Sequence, residues 1–176
     1  MYVAVWATHK QGTMNSTSSE SPQALATSAD AAAPGTFEYR YRAEISAISG
    51  CPSQATAPFK GDCYRAVQSD PKHPGNFLPI AKLDPHRLKK ARPDQRCALW
   101  GLSMYEHAHQ LREMIVKVEK HSPRFRLLIG DHCARLQLTA QHGRRTSASA
   151  SGHFDFYEHA NFNAEAVVLT CQPLFS

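Results

Sequence analysis

Residues 97–120, CALWGLSMYEHAHQLREMIVKVEK, limit what this chain can fold into more than any other stretch. Residues 97–102 form a short apolar run with Gly101 near its end, the pattern of a buried strand leading into a tight turn. Ser103-Met-Tyr-Glu106 then matches the S-x-x-E capping box, in which the serine hydroxyl accepts from the amide of the third helical residue and the glutamate reaches back to the cap amide. Ala108, Leu111, Ile115 and Val118 follow at intervals of three and four on one helical stripe, with Met104 near its start. Glu106, His109, Gln110, Glu113, Lys117 and Lys120 occupy the opposite face, and Pro123 stops the helix. The spacing predicts a strand, a turn, and an amphipathic helix over 104–120 of about four and a half turns.

A length of 176 residues suits one domain with a tail. Residues 1–36 are rich in Ser, Thr, Ala and Gln without sustained periodicity, so they read as a disordered N-terminal tail ahead of a single domain over 37–176. Met14, followed by NSTSSES, is a second candidate start of translation, and the apolar run in MYVAVWATHK is too short for a signal peptide. No window is apolar enough to cross a bilayer. The five cysteines lack any C-x-x-C pair, which excludes the common zinc spacings and makes free or buried thiols the default. A Cys51–Cys63 bridge would fit an exported protein, but the expected location is the cytoplasm.

Residues 37–48, FEYRYRAEISAI, begin with the alternation of a half-buried strand, and 63–67, CYRAV, read as a second strand with Arg65 and Val67 on one side. Pro79 demotes 77–83 to an edge or irregular segment. Asp84-Pro85 opens a short basic helix through Lys90. Residues 125–129 and 134–138 read as a hairpin around Gly130-Asp131, and 141–152 as a small polar loop. HFDFYE, 153–158, is a strand with Phe154 and Phe156 on the core side, and AVVLTC, 166–171, reads as a buried strand. The sum is an α+β fold: a small, mostly antiparallel sheet of five to seven short strands packed on one long amphipathic helix, plus a short basic helix.

The net charge of +5 is concentrated in Lys82, Arg87, Lys89, Lys90, Arg92 and Arg96, and nothing basic follows Arg144-Arg145 except histidine. Such a surface suits an acidic protein or a nucleic-acid backbone, without a motif for base-specific reading. A small binding or regulatory module with a basic surface is therefore the first expectation. Among the ten histidines, His107 and His109 point about 200° apart on a helix and cannot chelate together. His153, Asp155 and His159 offer only a weak ligand face, so no metal site is expected.

The alternative is an enzyme. Arg65 in an early strand, Ser103 at a strand-to-helix junction and Glu158 at the end of a late strand resemble the Arg/Ser/Glu layout of the ADP-ribosyltransferase-like fold, and GLSMYEHAHQL resembles its strand-turn-helix. That resemblance implies NAD as cofactor, for ADP-ribosyl transfer or NAD glycohydrolysis. In it the arginine holds phosphate, the serine supports the nicotinamide pocket, and the glutamate binds ribose and stabilises an oxocarbenium-like transition state. The serine-threonine-serine strand and the E-x-E or Q-x-E turn of many members are missing. Alternation puts Glu158 on the side of Phe154 and Phe156, where the sheet rim is its expected place.

Overall fold

The computed structural model describes residues 37–52 and 56–175; the tail expected over 1–36 lies outside them. Among the described residues there are seven strands: β1 (Ala57–Pro58), β2 (Gly61–Val67), β3 (Leu102–Tyr105), β4 (His132–Leu138), β5 (Gly143–Arg145), β6 (His153–Glu158) and β7 (Val168–Pro173). They form one antiparallel sheet in the order β1-β5-β6-β3-β2-β4-β7. Six helices accompany it: α1 (Arg42–Ser46), α2 (Ile80–Leu83), α3 (Pro85–Lys90), α4 (Pro93–Arg96), α5 (Ala108–Glu119) and α6 (Phe125–Ile129). The α+β class holds, and so does the antiparallel sheet.

Alternation along the central strands divides the core in two. Cys63 and Val67 of β2, Met104 of β3, Leu136 of β4 and Phe154 and Phe156 of β6 share one apolar cluster, closed by Phe162, Ala164 and Val167. On the other face Tyr105 and Cys133 pack with Leu111 and Ile115 of α5, flanked by Phe125 and Ile129 of α6. A third cluster, Ile45, Ala81, Trp100 and Tyr157, joins α1 and α2 to β6 on that second face. Fully burying each large apolar side chain stabilises by roughly 1.5–3 kcal/mol.

Several local readings give way to long-range pairing. Ser103 is not a helix cap: Leu102-Ser-Met-Tyr105 alternates and pairs with Phe156, Asp155, Phe154 and His153 of β6. The ladder outweighs the local cap, and the helix is shorter than expected. It starts at Ala108, where Gln110 Oε1 accepts from the His107 amide at 3.0 Å. Leu111 and Ile115 keep their predicted buried face, while Met104 goes to the opposite side of the sheet. Residues 98–100 are a 3-10 turn rather than a strand.

Residues 37–48 are not a strand either. Only Tyr39 forms a bridge, to His159, and the chain then turns into α1 so that Tyr41 packs on Trp100 at 5.5 Å. Ile80–Leu83 is helical where an edge or irregular segment was expected. Phe125–Ile129 is a helix, because both edges of β4 are already taken by β2 and β7, which leaves no place for a hairpin partner. Gly130, at φ 90, ends it against the Val67 carbonyl, where a Cβ would collide. β7 lies at the sheet edge with Leu169 exposed, so its apolar run does not mark a central strand. The Asp84-Pro85 start is as read: Asp84 caps α3 by accepting from the Arg87 amide at 3.1 Å.

Cys51 and Cys97 form a disulfide, with Cα atoms 5.5 Å apart, whereas Cys63 lies in the core. Burial pushes the Cys63 thiol up to about 12, which leaves it inert. Disulfides persist in oxidising surroundings, which sets this bond against the cytoplasmic expectation. No helix among the described residues is long and apolar enough to cross a membrane. The bond ties the segment after α1 to the end of α4 across 46 residues of sequence. Reduction is expected to lower stability by about 2–4 kcal/mol, read as a drop in the thermal midpoint with reductant present; an unchanged midpoint would mean that packing alone holds the two segments.

Candidate functional site

The second face of the sheet is covered by two groups of helices, α2–α3 and α5–α6, and a cleft of about 460 Å³ opens between them. Its floor comes from β2 and β3 through Ala66, Ser103 and Tyr105, and His153 of β6 joins it at the rim with Ser149 and Ser151. Leu83, Leu111, Met114, Phe125 and Leu128 give the cleft much of its apolar lining, and Arg87 of α3 lines it as well. A mostly apolar concavity with a few convergent polar groups is the usual form of a ligand site.

Pairing between β3 and β6 assembles the polar end. Ser103 lies opposite Asp155, and Tyr105 opposite His153. Ser103 Oγ is 2.6 Å from His153 Nε2, and Asp155 Oδ1 is 3.8 Å from the same nitrogen. The Tyr105 ring stands edge-on to the imidazole at 5.2 Å. Burial lowers the His153 pKa below its ordinary 6.5, which favours the neutral ring; the tautomer protonated at Nδ1 accepts the Ser103 hydroxyl proton at Nε2, and the other tautomer donates to Ser103. Burial also raises the Asp155 carboxyl to about 6, and burial together with the field of Asp155 raises the Tyr105 phenol to about 12. The sequence reads Ser103 as a helix cap and His153 as a strand residue, so their meeting requires the register that the fold supplies.

The three residues of the ADP-ribosyltransferase-like layout have different surroundings. Arg65 lines the cleft beside Ser103, but its guanidinium binds main chain: Nε donates to the Asn76 carbonyl at 2.7 Å, Nη1 to Ser103 at 2.9 Å, and Nη2 to Leu78 at 2.8 Å. Burial lowers its pKa to about 10, against the fields of Glu158 and Cys63. Glu158 is not at the rim. It is 3% exposed, on the side of Phe154 and Phe156, and does not line the cleft. Arg40 Nη1 lies 3.2 Å from Glu158 Oε1 as an ion pair out of hydrogen-bond alignment, so neither carboxylate oxygen has a hydrogen-bond donor among the described residues.

The predicted basic residues also divide. Lys82 pairs with Glu44 at 3.2 Å and lies over Trp100; Arg92 pairs with Asp94 at 3.0 Å; Arg96 Nε donates to the Ala91 carbonyl at 3.1 Å. Arg144 and Arg145 belong to β5 rather than a free loop. Arg144 donates to the Thr56 carbonyl at 2.9 Å, while Arg145 pairs with Glu106 at 3.0 Å and stacks on Phe59 and Phe154. Arg87, Lys89 and Lys90 are exposed and have no side-chain partner among the described residues. The described residues contain no cluster fit for a metal ion; His107 and His109, stacked at 5.5 Å, lie at the start of α5.

Burial raises the Glu158 carboxyl from 4.5 to about 7, opposed by Arg40 and Arg65. The folded protein therefore holds this proton between about pH 4.5 and about pH 7, while the unfolded chain has released it. Stability from this group is present at the acid end and is lost as pH rises through 7, by up to about 3 kcal/mol. Glu158→Gln, which keeps the shape without the charge, is expected to flatten this slope in urea titrations from pH 4.5 to 8. An identical slope in wild type and variant would show that Glu158 is ionised throughout.

Compared with family models, with curated proteins and with solved structures, the chain matches none, and the reading of its cleft rests on the geometry above.

Proposed function

We propose that this chain is a binding module for an acidic protein segment that places an apolar side chain in the cleft between α2–α3 and α5–α6. The observation that carries the reading is the position of Arg87. It belongs to the exposed basic helix α3, on the same side as Lys90 with Lys89 farther round, and it also lines the cleft. An acidic segment crossing α3 would meet these charges and bury one anchor beyond them, the combination that makes small interfaces specific.

Nucleic acid is the less favoured partner. The aromatic rings of Tyr39 and Tyr41, candidates for stacking bases in the sequence, pack on Tyr157 and Trp100. Three cations on α3 that lack a side-chain partner among the described residues form a short electrostatic track for a phosphate backbone. An NAD-using site of the ADP-ribosyltransferase type is the second reading, supported by Arg65 and Ser103 lining one cleft. It requires Glu158 to reach the ligand from its buried position beside Arg40.

Binding of a fluorescent acidic peptide carrying one leucine or phenylalanine, followed by anisotropy, tests the first reading. The triple variant Arg87→Glu, Lys89→Glu, Lys90→Glu is expected to bind about 10-fold more weakly at low salt, with the difference shrinking as salt rises. Equal binding by the variant would sink the acidic-partner reading, tighter retention of a single-stranded oligonucleotide would move it to nucleic acid, and nicotinamide release from NAD would favour the second reading.

A further inference from the structure

We propose that Ser103 is a nucleophile activated by His153, and that the cleft carries out acyl transfer to water from small esters or thioesters with an apolar acyl group. The inference rests on the cleft being a binding site and goes beyond the binding of a partner. A serine is a weak nucleophile until a base takes its proton, and the diagnostic arrangement is a hydroxyl within hydrogen-bond reach of an imidazole that a third group holds in place. Ser103 Oγ and His153 Nε2 are 2.6 Å apart. Tyr105 braces the imidazole edge-on, and Asp155, 3.8 Å from Nε2, lies where an imidazolium would need a counter-charge.

Two further observations separate this pair from an ordinary cross-strand hydrogen bond. Ser103, Tyr105 and His153 all line the cleft, so the hydroxyl faces space that a substrate can occupy. The same cleft is lined by apolar side chains that suit an acyl chain, and Ser149, Ser151 and Arg87 are further polar residues of its lining. Asp155 approaches Nε2 rather than Nδ1, so this is a dyad braced by packing and not the serine-histidine-aspartate relay, whose carboxylate binds the other ring nitrogen.

The chemistry balances without a cofactor. Ser103 Oγ forms a bond to the acyl carbon as its proton moves to His153 Nε2. The carbon–oxygen or carbon–sulfur bond to the leaving group then breaks, and the alcohol or thiol leaves with that proton. A water gives its proton to His153, attacks the acyl-serine, and releases the carboxylic acid while Ser103 regains its hydrogen. Ser103 and His153 are the catalytic residues; Tyr105 and Asp155 position them.

The test is covalent labelling of the full chain by an alkyl fluorophosphonate, in which Ser103 Oγ displaces fluoride from phosphorus, with the adduct mapped by peptide mass spectrometry. One adduct on Ser103 in the wild type is expected. None is expected in Ser103→Ala or in heat-denatured protein, and labelling of His153→Ala should be slower by about 100-fold or more. The wild-type rate should be level above pH 7 and fall as the imidazole is protonated. Hydrolysis of p-nitrophenyl butyrate should follow the same order. Because the adduct is mapped on the wild type, the result does not depend on whether a variant folds. An unlabelled wild type, or adducts scattered over other residues, overturns the nucleophile. Peptide anisotropy on the same samples separates the two readings: peptide binding without labelling refutes the dyad alone, and labelling without peptide binding refutes the acidic partner alone.

Discussion

The seven-stranded sheet depends on a seam that Arg65 closes. The halves β1-β5-β6-β3 and β2-β4-β7 meet between β2 and β3, where Tyr64 and Tyr105 are the one registered pair among the described residues. A ladder that short leaves carbonyl groups without strand partners, and Arg65 on β2 meets this need by donating to Ser103 on β3. The same guanidinium holds the carbonyls of Asn76 and Leu78, which anchors the connection that leads to α2. Hydrogen bonds from a charged group each contribute roughly 1.5–3 kcal/mol, and a planar fork with donors in several directions is specific to arginine.

Burying that cation shapes the electrostatics of the first face. Glu158 supplies a negative field for Arg65, and Arg40 supplies a positive one for Glu158. The Arg40 amide donates to the Glu158 carbonyl at 3.0 Å, and its guanidinium also reaches the Phe162 carbonyl, so the chain entering the domain is fastened where the buried carboxylate lies. Arg65 and Glu158, two residues that resemble a catalytic layout in the sequence, thus have structural roles through their opposed fields. On the second face the seam has a different consequence: Ser103 and Tyr105, next to the opening in the ladder, become the floor of a cleft.

Much of the local structure is readable from residue pattern. Asp84-Pro85 starts its helix as capping rules require, Leu111 and Ile115 mark the buried side of α5, and alternation places Phe154 and Phe156 in the core. Reading fails where a short segment satisfies two rules at once. Ser103-Met-Tyr-Glu106 fits both a capping box and an alternating strand, and the bonds to β6 decide the matter. Residues 125–129 fit both a buried strand and a helix, and the absence of a free strand edge decides that one.

Residue spacing alone gives the class of fold, the start of the basic helix α3, the buried positions Leu111 and Ile115 and the inward side of β6, because each follows from local pattern. The pairing of Cys51 with Cys97, the carbonyl partners of Arg65, the burial of Glu158 and the meeting of Ser103 with His153 arise from the folded chain alone. Those outcomes join residues tens of positions apart. Strand register and burial set them, and neither is written in a local pattern.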